Sequence, residues 1–185
     1  RVILVPLLER FEEETGIDLS EDKMALQRLK EAAESAKCEL STLSETNINL
    51  PFLAVDDTGP KHLSYQFSRS VLNDLCAGLV ERLDEPCTIA LDDAQMTTAD
   101  ISEVLMVGGM TRMPLVQERI ESIFKRRPNK SVNPDEVVAI GAAIQSGILG
   151  GEVRDVVLMD VAPLSLGIRV QGDRMSTVIG KNAPL

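Results

Sequence analysis

One stretch near the middle of the chain, from Glu103 to Pro114, restricts the possible fold more than any other. Residues 104–107 are apolar and few enough for a strand buried on both faces, and Gly108 and Gly109 follow at once. Pro114 suits the first turn of a helix. The stretch therefore predicts a strand, a glycine turn and a helix, which is a unit of an α/β fold.

The glycine turn is a candidate contact for a phosphate or a nucleotide. Gly108 and Gly109 carry no Cβ, so backbone N–H groups there can approach a ligand closely. The helix start that follows favours an anion, and Arg112 adds a planar donor that is always charged. An ordinary strand-to-helix turn explains the same residues, because glycine pairs are common at such turns.

A long helix is predicted from about residue 20 to Leu43, since no proline or glycine interrupts it. Either Ser20 or Asp22 can cap it. Alternating spacings of three and four residues place one apolar stripe on this helix, which should face the core. The stripe consists of Leu26, Leu29, Ala33, Ala36, Leu40 and Leu43.

A second candidate site lies on another face of the same helix. Glu34, Lys37, Cys38 and Ser41 share that face by the same spacing rule. A carboxylate, an ammonium and a hydroxyl that converge there could bind a sugar and the edge of a base. Spacing alone favours the simpler interpretation, a solvated face with a Glu–Lys pair.

The other predicted elements alternate between helix and hairpin. A helix starts near Pro6, with Leu7, Leu8 and Phe11 inward, and stops at Gly16. Residues 46–68 alternate as a hairpin, in which Pro51 indicates an edge or a bulge and His62 is solvated.

Three further helices and a second hairpin complete the pattern. Ser68 caps a helix that breaks or kinks at Pro86, where a second helical piece follows. Asn133 and Pro134 start a helix that is apolar on most sides, so we expect it to be buried. Residues 164–179 have strand periodicity and open an all-β segment.

Composition narrows the classes of function. Aromatic residues make up only 3% of the 185 residues, which argues against a base-stacking nucleic-acid surface. The net charge of −10 repels nucleic acids and disfavours anionic membranes, and no apolar run approaches the roughly twenty residues of a membrane span. Three widely spaced cysteines, Cys38, Cys76 and Cys87, are expected to be reduced thiols. We expect the sequence to be a fragment at both ends.

Four motifs follow one another along the chain: Met24–Glu34, Val107–Pro114, Val132–Glu136 and Asp160–Ile168. Together they resemble one family, the 70-kilodalton heat-shock chaperones of the DnaK type, over nearly the whole chain. Residues 37–41 and the methionine after the glycine pair are most similar to the bacterial and mitochondrial branch.

The resemblance implies an α/β fold: the second lobe of an actin-like ATPase, with a mixed sheet and helices, then a linker and the hairpin that opens a truncated β-sandwich. Residues 1–95 would form a subdomain of helices and a hairpin, and residues 96–154 the actin-like core. Residues 155–160 would be the interdomain linker, and residues 161–185 the start of the substrate-binding sandwich.

The resemblance also assigns roles in binding ATP or ADP. Glu34, Lys37 and Ser41 would hold the adenosine, with Cys38 beside the purine. Some relatives have a stacking arginine where Cys38 stands. The phosphate and ribose side would be lined by Gly108, Gly109, Met110, Arg112 and, from the last helix, Asp135. The linker residues would be Asp155, Val156, Val157, Leu158, Met159 and Asp160, the last being a coupling acid.

The chain departs from the family pattern in its linker and in its catalytic parts. Val157 and Met159 stand where the linker is usually rich in leucine. The first lobe, two phosphate loops and the residues for Mg²⁺ and the attacking water are absent, so we expect no catalytic or metal-binding residue here and an inactive fragment.

The intact protein would be an ATP-driven chaperone in the bacterial cytoplasm or mitochondrial matrix. Its partners would be extended client peptides, a J-domain co-chaperone and a nucleotide-exchange factor, with no nucleic acid or membrane. One alternative is a non-catalytic module that binds nucleotide or co-chaperones, with partners on residues 1–95. Another actin-like ATPase or a sugar kinase is disfavoured, because these lack the 155–168 segment.

Overall fold

The computed structural model describes residues 2–184 and has mixed helix and sheet content. Both sheets are antiparallel hairpins, β1–β2 and β3–β4. The elements in chain order are α1 (Leu4–Thr15), α2 (Lys23–Glu39), β1 (Glu45–Asp56), β2 (Gly59–Ser68), α3 (Arg69–Glu81), α4 (Asp84–Asp93), a 3₁₀ helix (Gly109–Arg112), α5 (Pro114–Phe124), α6 (Val137–Leu149), β3 (Leu166–Val170) and β4 (Arg174–Ile179).

The main core lies where α1, α2 and α3 pack on the β1–β2 hairpin. Burial of large apolar side chains is the main favourable term in such a core. The stripe predicted on α2 is buried at four of its six positions, whereas Leu26 is half-buried and Leu43 is exposed. The largest fully buried side chains are Leu7, Phe11, Leu29, Leu40, Leu63, Phe67 and Leu72.

Helix α2 begins at Asp22, one of the two caps that the sequence allowed. The Asp22 carboxylate accepts hydrogen bonds from the N–H groups of Met24, at 2.9 Å, and Ala25, at 3.0 Å. Ser20 instead bonds Asp18 through both its N–H and its hydroxyl. The helix ends at Glu39 rather than near Leu43. Residues 40–42 form turns in which the Cys38 and Glu39 carbonyls accept backbone N–H groups of residues 41–43.

The β1–β2 hairpin has a bulge at Pro51, one of the two features that the sequence allowed there. The pairing register shifts between Leu50 and Ala54, and Phe52 adopts a positive φ of 53°. The carbonyls of Pro51 and Phe52 accept hydrogen bonds from the Arg28 guanidinium at 2.6 and 2.8 Å. Helix α2 thus fixes the bulge from outside the hairpin. His62 is exposed, as predicted, and its Nδ1 accepts the Phe52 N–H.

Several predicted helix boundaries are shifted. Helix α1 begins at Leu4, so Pro6 lies inside its first turn, where a proline is tolerated. It stops at Gly16, as predicted, in the left-handed conformation. Likewise the break after α3 falls at residues 82–83, and Pro86 lies in the first turn of α4.

The prediction of a strand over residues 104–107, buried on both faces, is wrong. Within residues 2–184 this segment forms a single parallel bridge, between Leu105 and Asn129. Leu105 and Val107 are 52% and 46% exposed. A strand buried on both faces needs neighbouring strands that pair with its backbone. Within the described residues, only Asn129 pairs with this segment.

The prediction that the last helix is buried is also wrong. Residues 133–136 form a turn in which the Asn133 side chain accepts the Asp135 N–H, and α6 begins only at Val137. None of its residues is buried, and Val138 and Leu149 are 68% and 80% exposed. Its apolar character predicts burial only if another element covers it, and none of the described elements does so.

The segment between α6 and the second hairpin has no helix or strand. Residues 156–160 form no regular secondary structure and are exposed. Beyond them Ala162 is buried and exchanges two backbone hydrogen bonds with residues 182–183, and β3 pairs with β4 in the predicted hairpin. No helix in the described part of the chain is both long and apolar enough to cross a membrane.

Candidate functional site

A cleft of about 790 Å³ lies between the end of α2 and the 3₁₀ helix. Its volume is within the range of small-molecule sites. One wall is the polar face of α2, and the other is built from the glycine-rich corner and the turn before α6. The lining residues are Glu34, Lys37, Cys38, Ser41, Thr42, Gly109, Met110, Arg112, Met113, Gln117 and Asp135.

The wall formed by α2 carries a compact polar group. The Lys37 ammonium lies 2.6 Å from the Glu34 carboxylate, and the Cys38 thiol is 3.7 Å from the same oxygen. These positions are three and four residues apart, so one helix face presents them together. The hydrogen bond from Lys37 is the main cause that lowers the pKa of Glu34 below its ordinary value. Glu34 is therefore ionised at neutral pH and accepts hydrogen bonds.

The opposite wall is a corner made by residues 108–112, here called the glycine corner. Gly108 has φ 90° and ψ 150°, a conformation that L residues rarely adopt. Its carbonyl accepts the Thr111 N–H and hydroxyl, and its N–H donates to the Pro134 carbonyl at 3.3 Å. A Cβ added at Gly109 would meet no atom of the chain within 4 Å. The corner therefore leaves bare backbone beside the cleft.

An ion pair between Arg112 and Asp135 joins the glycine corner to the turn before α6. Both side chains are about half exposed, at 53% and 55%. The pair offsets the Arg112 charge, and Glu34 and Lys37 offset each other across the cleft. Two acids and two bases thus make the cleft formally neutral, with donors and acceptors on both walls. Such a lining suits a polar ligand with hydroxyl and amine groups.

The structure brings together eight of the nine residues predicted to bind a nucleotide. Gly108 is the exception, since it supports the corner from behind and does not line the cleft. The linker residues 155–160 do not line the cleft either. Sequence reasoning missed Thr42, Met113 and Gln117. Thr42 directly follows Ser41, the last site residue predicted on that face, and Gln117 lies one turn after Pro114. No motif distinguished Thr42 or Gln117 from ordinary residues.

The fold and the cleft define a chain of helices and antiparallel hairpins with a candidate cleft between a polar helix face and a glycine turn. A comparison with protein-family models goes further: the model described as Hsp70 protein matches residues 1–185. The chain therefore belongs to the Hsp70 family. Members of this family are chaperones that bind and hydrolyse ATP with Mg²⁺ and act on client peptides with co-chaperones.

Proposed function

We propose that the chain is the adenosine-binding lobe, linker and first sandwich hairpin of an ATP-dependent chaperone of the DnaK type. The observation that carries the proposal is the convergence of Lys37 and Gly109 on one cleft in a chain of this family. These residues are 72 positions apart in sequence (109 − 37). Neither motif alone distinguishes a binding site from ordinary helix and turn residues.

The donors of the cleft fit an adenosine group. Glu34, Lys37 and Ser41 offer an acceptor and two donors to ribose hydroxyls or the edge of the base. The bare backbone at Gly109 allows the phosphate side of the ligand to approach, with Arg112 beside it. Cys38 cannot stack on a purine as an arginine does, so we expect the chain to bind ADP weakly.

Hydrolysis requires more than this cleft supplies. Phosphoryl transfer depends on metal and donor groups that surround the phosphates from several sides. No group of three or more histidine, cysteine, aspartate or glutamate side chains within residues 2–184 is arranged to hold a metal ion. The proposal assigns Mg²⁺ no ligand in this stretch, and we expect no ATP turnover by the 185-residue chain.

The exposed residues 156–160 suit the proposed coupling role in the intact protein. Val157 and Met159 are 83% and 75% exposed. Burying such side chains is favourable by roughly 1.5–3 kcal/mol each. The linker could therefore be buried against the nucleotide lobe in one nucleotide state and exposed in the other. Asp160 would link that exchange to peptide binding. In the intact protein, Asp160→Ala should reduce the stimulation of ATP hydrolysis by peptide, and unchanged stimulation would count against the role.

Binding of ADP and adenosine to the purified chain, measured by calorimetry, tests the proposal. We expect weak binding that Lys37→Met reduces. The matched control is Lys23→Met, which changes an exposed lysine on the same helix outside the cleft. No binding by the unaltered chain, or equal effects of the two substitutions, would contradict the proposal.

We expect the intact protein to act in the bacterial cytoplasm or the mitochondrial matrix.

A second candidate function, a partner-binding module on residues 1–95, is favoured by Phe52. Phe52 is 67% exposed, and its backbone has a positive φ of 53°. Backbone strain of this kind occurs often at functional positions. Phe52→Ser should then weaken binding of a nucleotide-exchange factor and leave the affinity for ADP unchanged. Unaltered binding of the exchange factor would remove the support that Phe52 gives to this candidate.

A further inference from the structure

We propose that Gln117 is a positioning residue whose side-chain amide holds the glycine corner and Arg112 in the shape that lines the cleft. The Gln117 Nε2 donates a hydrogen bond to the Thr111 carbonyl at 2.7 Å, six residues back along the chain. Its effect on nucleotide affinity rests on the proposed function, whereas its effect on the corner does not.

Pro114 explains why a side chain is needed there. In a 3₁₀ helix each carbonyl accepts from the N–H three residues further on. Met113 follows this pattern and donates to the Met110 carbonyl at 3.2 Å. The residue three positions after Thr111 is Pro114, which has no N–H. The Thr111 carbonyl therefore lacks its regular donor, and the Gln117 amide takes that place.

This hydrogen bond acts on Arg112 through the peptide that it fixes. The Thr111 carbonyl belongs to the peptide unit that leads into Arg112, so its orientation sets the direction in which the Arg112 side chain leaves the backbone. Arg112 then reaches Asp135 on the far side of the glycine corner. A corner free to rotate would lose both this ion pair and the presentation of Gly109.

Gln117 is the side chain of the described residues that gives the Thr111 carbonyl a hydrogen-bond donor. It is half-buried in the first turns of α5, and its backbone N–H donates to the Met113 carbonyl. It lies between the cleft and a smaller cavity of about 200 Å³ on the other side of Arg112. Removing its amide takes this hydrogen bond from the carbonyl and with it the tether between α5 and the glycine corner, which is unfavourable.

The test compares Gln117→Met, which keeps the length and loses the N–H donors, with the unaltered chain. Amide hydrogen exchange without any ligand should become faster in residues 109–113 and stay unchanged in α2. The affinity for ADP should fall about three- to tenfold, the effect of one hydrogen bond of this kind. Gln117→Glu, which also loses the donors, serves as a second variant if the first folds poorly.

The control is Gln27→Met, because Gln27 also donates a side-chain hydrogen bond, to Glu31 on the exposed face of α2. It should change neither quantity. In a chain that carries Arg112→Gln, the Gln117→Met substitution should lower the affinity by a smaller factor than in the unaltered chain, because part of its effect passes through Arg112. A fully additive loss would overturn the positioning of Arg112 by Gln117.

Failure of this inference and failure of the proposed function give different results. Unchanged exchange of residues 109–113 in Gln117→Met overturns the positioning role, whatever the chain binds. Faster exchange in a chain that binds no ADP supports the positioning role and contradicts the nucleotide site.

Discussion

The Lys181 ammonium lies 2.7 Å from the Asp93 carboxylate and ties the turn after β4 to the last residue of α4. A cation at the C-terminal end of a helix is also favoured by the helix dipole. Both side chains are partly exposed, at 42% and 35%, so we expect the pair to contribute only about 0.2–1 kcal/mol. The two residues are 88 positions apart in the sequence.

Removing this ion pair should loosen the second hairpin. Lys181→Met should raise amide hydrogen exchange in β3 and β4, because one of the contacts between the hairpin and α4 is lost. Exchange in α1 and α2 should stay the same. Arg174→Met, which changes an exposed cation at the start of β4, serves as the control. Equal exchange in the two variants would show that the ion pair does not anchor the hairpin.

The stability of α2 should depend on its N-cap Asp22 and not on Ser20. Asp22→Ala removes the acceptor for two N–H groups of the first turn and should lower the free energy of unfolding by about 1 kcal/mol. Ser20→Ala should have little effect, since Ser20 bonds Asp18 outside the helix. Urea unfolding of both variants measures the difference. A larger loss in Ser20→Ala would identify that residue as the effective cap.

The two glycines of the corner should respond differently to alanine. Gly108→Ala forces an L residue to a φ of 90° and should lower the free energy of unfolding by about 1–3 kcal/mol. Gly109→Ala meets open space and should leave stability nearly unchanged while it lowers the affinity for ADP. Unfolding and ADP titration of both variants test this. A Gly109→Ala chain that binds ADP normally would place the ligand away from the corner.

Local sequence patterns predicted the elements whose partners lie within the described residues. The stripe on α2, the cap at Asp22 and the bulge at Pro51 depend on neighbours a few residues away or on the adjacent strand. Their spacing and turn chemistry therefore determine them. The site was predictable only in part, because spacing placed Glu34 and Lys37 on one face but did not show that Gly109 lies opposite.

Burial of the later elements could not be predicted from periodicity. Residues 104–107 and α6 are apolar enough for a core, yet Leu105 and Val138 are more than half exposed. Apolar character indicates that a segment can be buried, whereas burial itself depends on which element packs over it. Gln117 was missed for a related reason, since its role follows from the missing N–H of Pro114 and the path of the corner.

Acidic pH should weaken the polar wall of the cleft. The hydrogen bond from Lys37 lowers the pKa of Glu34 in the folded chain below its ordinary value of 4.5. A lowered folded-state pKa adds stability that is complete above the unfolded pKa and is lost as pH falls through the folded pKa. The Glu34 side chain is 64% exposed, so this contribution should stay below about 1 kcal/mol.

Urea unfolding from pH 7 to pH 3 measures this contribution. Glu34→Gln should reduce the loss of stability between pH 4.5 and pH 3, because the titrating carboxylate is gone, and Lys37→Met should reduce it similarly by removing the partner. Glu12→Gln changes an exposed carboxylate on α1 and serves as the control. If Glu34→Gln and Glu12→Gln have the same pH dependence, the Glu34–Lys37 hydrogen bond does not persist in solution.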